Sequence, residues 1–189
     1  LGTWQLGEAF GAVSDDTARA ILDVATRSGV NFWDTADVYG DGQSERRIGS
    51  YARAADVHVA TKVGRSGKLF PDKFTRQGVR ESLEGSARRL GVEILDLAQL
   101  HCVPRAVLDD GAIFTWMEDF QREGLVRFYG ASVQTVEEGL LCMRHESVAT
   151  LQIIFNVFRQ DAIDRLLPEA EAKDVGIIVR LPLASGLLS

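Results

Sequence analysis

The fold can be inferred from the stretch NFWDTADVYG, residues 31–40, in which a short apolar run passes into ionisable side chains. Asp34 closes that run, and Tyr39 follows in the loop behind it. Two later apolar runs end in the same way, one at Lys62 in VATK and one at His101 in LDLAQLH. Because side chains at the ends of separate strands meet only where parallel strands share a face, these endings predict a parallel sheet with a polar carboxyl edge.

Strand-like and helical segments alternate along the chain, which predicts a single α/β domain over residues 1–189 with right-handed crossovers between parallel strands. The predicted strands are Leu1–Leu6, Val30–Thr35, Val57–Val63, Leu95–His101, Val126–Val133, Leu151–Val157 and Gly176–Pro182. The predicted helices are Asp15–Ser28, Ser44–Ala54, Thr75–Leu90, Gly111–Glu123, Thr135–Glu146 and Asp161–Lys173. Ser14, Ser44 and Thr75 are the expected N-caps of the first three helices.

Two architectures fit this alternation, a closed (β/α)8 TIM barrel and an open doubly wound sheet. The open sheet that binds nucleotides usually carries Gly-x-Gly-x-x-Gly directly after its first strand. The nearest match, GDGQSE at residues 40–45, lacks the third glycine and follows the second predicted strand, so it predicts only a loop. A barrel places functional residues at the C-terminal ends of several strands, where Asp34, Lys62 and His101 lie. We therefore favour the TIM barrel, with seven strands visible and the C-terminal part expected to be missing.

Composition and charge narrow the classes of partner. The formal net charge of −6, without a basic stripe, argues against nucleic acid or an anionic membrane surface. No apolar run approaches the ~20 residues that a membrane-spanning helix needs. Cys102 and Cys142 are too few for a disulfide framework, which favours a reducing cytoplasm. The chain begins inside a predicted strand at Leu1 and stops just past another at Ser189, so we expect the natural protein to be longer.

Each of the four strand-end residues has a structural explanation when it is taken alone. Lys62 can form a structural ion pair with an aspartate, and Asp34 can be an N-cap or turn residue. Tyr39 can pack in its loop, and His101 can be a core histidine. Together they suggest proton chemistry. A free phenol, with a pKa of ~10, is a poor acid at neutral pH, but a neighbouring cation stabilises the phenolate and makes the phenol a better proton donor. A neutral imidazole at His101 can then orient the carbonyl that receives the proton.

Metal and nucleophile chemistry are weaker alternatives. The sequence has no Cys-x-x-Cys, His-x-His or His-Glu-x-x-His pattern, and the adjacent His101 and Cys102 diverge on a strand, so we expect no metal site. Cys102 and Ser132 have no recognisable nucleophile elbow or neighbouring base.

The motifs DTADVYGDGQSE at residues 34–45, ATKV at 60–63 and DLAQLH at 96–101 resemble, in order and spacing, the aldo-keto reductase superfamily. The resemblance covers essentially the whole chain. It implies a (β/α)8 barrel that binds NADPH, or less often NADH, across its mouth and reduces an aldehyde or ketone to an alcohol. It also implies that Tyr39 is the general acid, that Lys62 with Asp34 tunes it, and that His101 orients the substrate carbonyl while hydride comes from the nicotinamide.

The same resemblance extends to positions that contact the cofactor in the family. The implied cofactor contacts are Gly2, Thr3, Trp4, Ser132, Gln152, Arg180, Leu183 and Ser185. Val133 stands where the family usually has Asn, and Arg180 stands where an aromatic residue often stacks on the nicotinamide. A planar guanidinium can stack there or bind a phosphate, and a pair with a carboxylate at the mouth is the structural alternative for Arg180.

Three functions stay open at this point. A carbonyl reductase acting on a small molecule is favoured, because a scaffold has no need of a tuned phenol. A non-catalytic NADPH-binding module with a regulatory or redox-sensing role is the second. An inactive truncated barrel is the third, because the family grips the adenosine 2′-phosphate with its eighth strand and the segment after it, and only seven strands are visible in this sequence. Asp37, Arg65 and Arg105 could give a polar mouth suited to sugars or hydroxylated carbonyls, although charged loop residues are more often simply solvated. The sequence leaves open the substrate, the choice between NADPH and NADH, and the oligomeric state.

Overall fold

The computed structural model describes residues 1–9, 11–52 and 56–188. In these ranges six parallel strands follow one another in chain order across one sheet. The strands are β1 (Phe32–Asp34), β2 (His58–Val63), β3 (Leu95–His101), β4 (Val126–Ser132), β5 (Val148–Ile154) and β6 (Gly176–Arg180). The helices are α1 (Asp15–Arg27), α2 (Gln43–Ala52), α3 (Arg76–Leu90), α4 (Arg105–Asp110), α5 (Ala112–Arg122), α6 (Val136–Cys142) and α7 (Leu166–Ala172). Parallel neighbours in sequential order form a curled part of a barrel, which confirms the α/β barrel prediction and excludes the doubly wound order.

The predicted first strand, Leu1–Leu6, is wrong. Gly2 makes a single parallel bridge to Asp34, and a 3-10 turn over Trp4–Gly7 follows. Gly7 explains the turn, since a Cβ on it would lie 2.5 Å from the Tyr39 carbonyl carbon and 2.7 Å from the Gly40 nitrogen. The chain therefore leaves the sheet to pack its backbone directly on the loop that carries Tyr39.

Several element boundaries also differ from the predictions. The strand predicted over Leu151–Val157 begins three residues earlier, at Val148, and ends at Ile154. The helix predicted over Asp161–Lys173 is the shorter α7, and α4 was not predicted. Ser14 and Thr75 are confirmed as N-caps, accepting bonds from the Thr17 and Gly78 nitrogens. Ser44 is not a cap, because α2 begins one residue earlier; the end predicted at Ala54 lies outside the described residues.

Apolar side chains of the strands and helices form one continuous core. Its largest buried members include Trp33, Tyr129, Phe114 and Phe120. Burial of one such side chain contributes about 1.5–3 kcal/mol, so this core supplies the driving force that fixes strands and helices together. No helix within the described ranges is long and apolar enough to cross a lipid bilayer.

Polar side chains occupy the opposite, inner face of the sheet near the C-terminal strand ends. Lys62 lies in register with Gln99, His101 with Ser132, and Ser132 with Gln152. Partners in register project to the same face, and the period of two along β3 puts Gln99 and His101 on that face together. All five side chains are buried. The fold thus gathers the polar residues of four neighbouring strands at one edge.

Candidate active site

Asp34 and Lys62 form a buried ion pair at the centre of the site. Asp34 is the last residue of β1, and Lys62 is the penultimate residue of β2. The Lys62 ammonium, whose side chain is 0% exposed, donates to Asp34 Oδ2 at 2.6 Å and to the Thr35 carbonyl oxygen at 2.8 Å. A buried ammonium requires such partners, because an unpaired charge in this position costs several kcal/mol.

Tyr39 meets this pair from the loop after β1. Its amide nitrogen donates to the Ala36 carbonyl at 3.1 Å, and its own carbonyl accepts from the Ser44 nitrogen at 3.2 Å, at the start of α2. These bonds and the backbone contact with Gly7 hold the half-buried phenol in place. Lys62 Nζ donates to the Tyr39 hydroxyl at 3.2 Å. The ammonium therefore lies where it stabilises negative charge on the phenol oxygen.

His101 ends β3 on the other side of the phenol. Its ring lies edge-on to the Tyr39 ring, with centroids 6.0 Å apart and planes at 86°. Burial, and then the positive charges of Lys62, Arg65 and Arg180, lower the pKa of His101 to about 3. The imidazole is therefore neutral at physiological pH. Its buried Nδ1 has no hydrogen-bond partner within the described part of the chain.

Ser132 and Gln152, two of the residues predicted to hold the cofactor, are brought into the same site. Ser132 Oγ donates to Gln152 Oε1 at 3.1 Å, and Gln152 Nε2 donates to Asp34 Oδ1 at 3.0 Å. Thr3 Oγ1 donates to the Asp34 carbonyl at 2.9 Å, beside the bridge that Gly2 makes. These four positions surround the ion pair.

Arg180 ends β6 and reaches across to the ends of β3 and β4. Its Nη1 donates to Cys102 Sγ at 3.0 Å and to Ser132 Oγ at 3.3 Å, and its Nη2 donates to the Val133 carbonyl at 3.3 Å. Its Nε is buried without a partner in the described ranges. The carboxylate pair considered for Arg180 is wrong, since its described partners are neutral.

Trp4, Leu183 and Ser185 lie at the rim. The Trp4 side chain is 46% exposed, and its ring centroid is 6.2 Å from that of Tyr39. Leu183 is 53% exposed and precedes the short turn over Ala184–Gly186, in which Ser185 has a left-handed φ of 59°. Three residues separate the end of β6 from this turn.

Of the three residues considered for a polar mouth, Asp37 is buried, whereas Arg65 and Arg105 are exposed. Asp37 is 8% exposed and accepts a bond from Ser82 Oγ at 2.9 Å, which places it under the Tyr39 loop. The Arg65 guanidinium lies over the Phe70 ring at 5.1 Å. Arg105 is paired with Asp109 on α4 at 2.9 Å.

Gln99 contacts the ion pair and was not among the residues that the sequence predicted for the site. It is fully buried on β3, and its Nε2 donates to Asp34 Oδ1 at 3.1 Å. A signal was present: Gln99 interrupts an apolar strand two residues before His101, and this spacing puts it on the same face as His101.

Groups of three or more His, Cys, Asp or Glu that could hold a metal ion are absent from the described residues.

The chain is similar in sequence and in fold to several known proteins. The chain is 31% identical over 200 residues to L-galactose dehydrogenase of Arabidopsis thaliana, matching all of this chain and 62% of that protein. An aldo-keto reductase structure from Bacillus halodurans superposes on the whole chain, with a TM-score of 0.86, 26% identity and 63% of its own length covered. A Klebsiella pneumoniae aldo/keto reductase, solved with NADP and acetate, gives a TM-score of 0.81 at 27% identity and 65% coverage.

The chain spans less than two thirds of the length of each of these three proteins. The model of the Aldo/keto reductase family matches residues 1–189, which is the whole chain. With this coverage, and with the strand-end residues assembled as the motifs predicted, the chain belongs to the aldo/keto reductase family.

Proposed function

We propose that this chain carries the proton-transfer site of an NADPH-dependent oxidoreductase that reduces an aldehyde or ketone to an alcohol. The observation that carries the proposal is the position of the Lys62 ammonium, 2.6 Å from Asp34 Oδ2 and 3.2 Å from the Tyr39 hydroxyl. Family membership and the NADP bound by the Klebsiella pneumoniae relative support the same conclusion.

Each residue has a separate role in the proposed reaction. Tyr39 donates its phenol proton to the substrate oxygen as that oxygen gains negative charge. Lys62 stabilises the resulting phenolate, and Asp34 holds Lys62 in position. His101, neutral because its pKa is lowered to about 3, donates a hydrogen bond to the same substrate oxygen and does not compete for the proton.

The residues around the ion pair fit a nicotinamide cofactor. The hydroxyl of Ser132 and the amide of Gln152 can exchange their mutual 3.1 Å bond for bonds to a carboxamide, which offers both a donor and an acceptor. The planar guanidinium of Arg180, with its buried Nε unpartnered in the described ranges, can stack on a flat ring or bind a phosphate oxygen. When bound, the reduced cofactor supplies hydride to the carbonyl carbon.

The proposal is tested by following the loss of reduced-nicotinamide absorbance when the chain is mixed with NADPH and an aromatic aldehyde such as para-nitrobenzaldehyde. Tyr39→Phe should lower kcat by about 10²–10⁴-fold, the usual contribution of general acid catalysis, and leave NADPH affinity nearly unchanged. Tyr51→Phe is the matched control, because the Tyr51 hydroxyl bonds Asp23 on α1, away from the site.

The outcomes separate the three functions that the sequence left open. Turnover that is lost in Tyr39→Phe and kept in Tyr51→Phe supports catalysis. NADPH binding without turnover would support a regulatory cofactor-binding module instead. A chain that neither binds NADPH nor turns over would support an inactive part of a barrel.

A further inference from the structure

Three side chains donate hydrogen bonds to the Asp34 carboxylate, and one of them, that of Gln99, makes no other described hydrogen bond. Oδ2 accepts from Lys62, while Oδ1 accepts from Gln152 at 3.0 Å and from Gln99 at 3.1 Å. Gln152 is also bonded through its Oε1 to Ser132, at the point proposed for the cofactor carboxamide. Gln99 can therefore donate to Asp34 whether or not Gln152 bonds the cofactor carboxamide.

Packing does not explain why residue 99 is a glutamine. The side chain is 0% exposed on the inner face of β3, and its Oε1 is buried without a partner among residues that the structure describes. A buried carbonyl oxygen without a donor destabilises the fold, whereas methionine fills nearly the same volume without that cost. The amide is therefore explained by its bond to Asp34, since an amide N–H stabilises an ionised carboxylate.

We propose that Gln99 is a positioning residue that acts on Tyr39 through Asp34 and Lys62. By bonding Oδ1, Gln99 fixes the carboxylate and disperses its charge. Without this bond the carboxylate attracts the Lys62 ammonium more strongly and lessens its effect on the phenol. The inference rests on the proposed function, in which Tyr39 is the proton donor.

Other charges near the site are unchanged when Gln99 is replaced. The groups that face Asp34 and Tyr39 are Lys62 from β2, His101 from β3 and the amino terminus at Leu1; Arg65 and Arg180 act on His101. A change in phenol ionisation in a residue 99 variant therefore reports the lost amide and not an altered charge.

The test measures ionisation of the Tyr39 phenol in the free protein, by near-ultraviolet difference absorbance as pH rises. The Tyr39→Phe titration is subtracted to remove Tyr51 and Tyr129. Gln99→Met should move the midpoint of the Tyr39 absorbance transition upward and lower kcat roughly ten-fold, the equivalent of one hydrogen bond to a charged group. Its NADPH dissociation constant should stay within about two-fold of the original value, whereas Gln152→Met should weaken NADPH binding as well.

Matched variants make the outcome decisive. Gln77→Met, on the exposed surface of α3, should change neither the midpoint nor kcat. If Gln99→Met does not fold, Gln99→Leu also removes the amide without adding a charge, and the midpoint should again rise. A midpoint and kcat in the Gln99 variants equal to those of Gln77→Met would overturn the positioning role. A wild-type chain without turnover would overturn the proposed function. The phenol titration would still show whether Gln99 affects ionisation of Tyr39, because it does not depend on turnover.

Discussion

The Lys62 ammonium lies 3.2 Å from the phenol oxygen of Tyr39, although the two residues are 23 positions apart in the chain. Its other two described partners are Asp34 Oδ2 and the Thr35 carbonyl oxygen. An ammonium has three N–H donors, so these partners use its full capacity. Lys62 is therefore held in one orientation, with one donor permanently directed at the phenol.

Asp37 should make stability fall as pH rises. Burial, opposed by the smaller effect of the Ser82 hydrogen bond, raises the pKa of Asp37 from 3.8 to about 6. Because the folded-state pKa is the higher one, the folded protein keeps a proton that the unfolded chain releases between these values. The stabilising contribution is complete below pH 3.8 and is lost as pH rises through about 6.

Asp37→Asn imitates the protonated side chain and should be more stable than the original chain at pH ~8, by at most about 3 kcal/mol, with no gain at pH ~3.5. Urea unfolding at both pH values measures the difference. Asp72→Asn, an exposed change of the same kind, is the control and should show no such dependence. A loss of stability of equal size at both pH values would contradict the assignment.

His101 should carry no proton through the physiological range. Its pKa is lowered from 6.5 to about 3, with burial as the largest cause. On acidification, His101 takes up a proton at a higher pH in the unfolded chain than in the folded protein. The stability that the neutral ring contributes is therefore complete above pH 6.5 and is lost as pH falls toward 3. Ring-proton NMR, with His101→Gln used for assignment, should show His101 resonances unshifted from pH ~9 to ~5. A midpoint near the ordinary histidine value would show that the ring is solvated.

Gly49 should be intolerant of any side chain, since α2 crosses α3 at that residue. A Cβ there would lie 2.5 Å from the Arg89 carbonyl oxygen and 2.6 Å from that of Leu90, and backbone atoms cannot rotate away. Gly49→Ala should lose about 1–2 kcal/mol in urea unfolding, because overpacking exceeds the gain in helix propensity. Gly85→Ala is the comparison, since its Cβ would meet only the flexible end of Arg89 at 3.1 Å. Equal changes in the free energy of unfolding of both variants would show that helix propensity alone determines the effect of alanine at these positions.

Much of the sheet and of the site was predictable from where polar residues interrupt apolar runs. Asp34 and His101 each end a strand and Lys62 is the penultimate residue of its strand, and parallel strands put such ends at one edge. The first strand was mispredicted because Gly7 makes the chain turn onto Tyr39, a backbone contact that local pattern does not encode. Asp37 was misplaced for a related reason, since its burial depends on Ser82, 45 residues away.

Side-chain bonding within the site was less predictable than the positions of the residues. The family resemblance assigned Gln152 to a cofactor, yet its amide also donates to Asp34, 118 residues earlier in the chain. Gln99 shares that oxygen and was overlooked, because its place two residues before His101 indicates the face of β3 on which it lies but not the group that it bonds. Register between strands, and not spacing along one strand, brings these amides together.

The most direct test of the central claim is the pH dependence of kcat for carbonyl reduction in the original chain and in Lys62→Met. Reduction by the original chain should fall at alkaline pH, as Tyr39 loses the proton that it must donate. Without the ammonium 3.2 Å from the phenol, Lys62→Met should be slower by roughly 10²–10⁴-fold, and its alkaline fall should move to higher pH. An alkaline fall at the same pH in both proteins would contradict the role of Lys62 in tuning Tyr39.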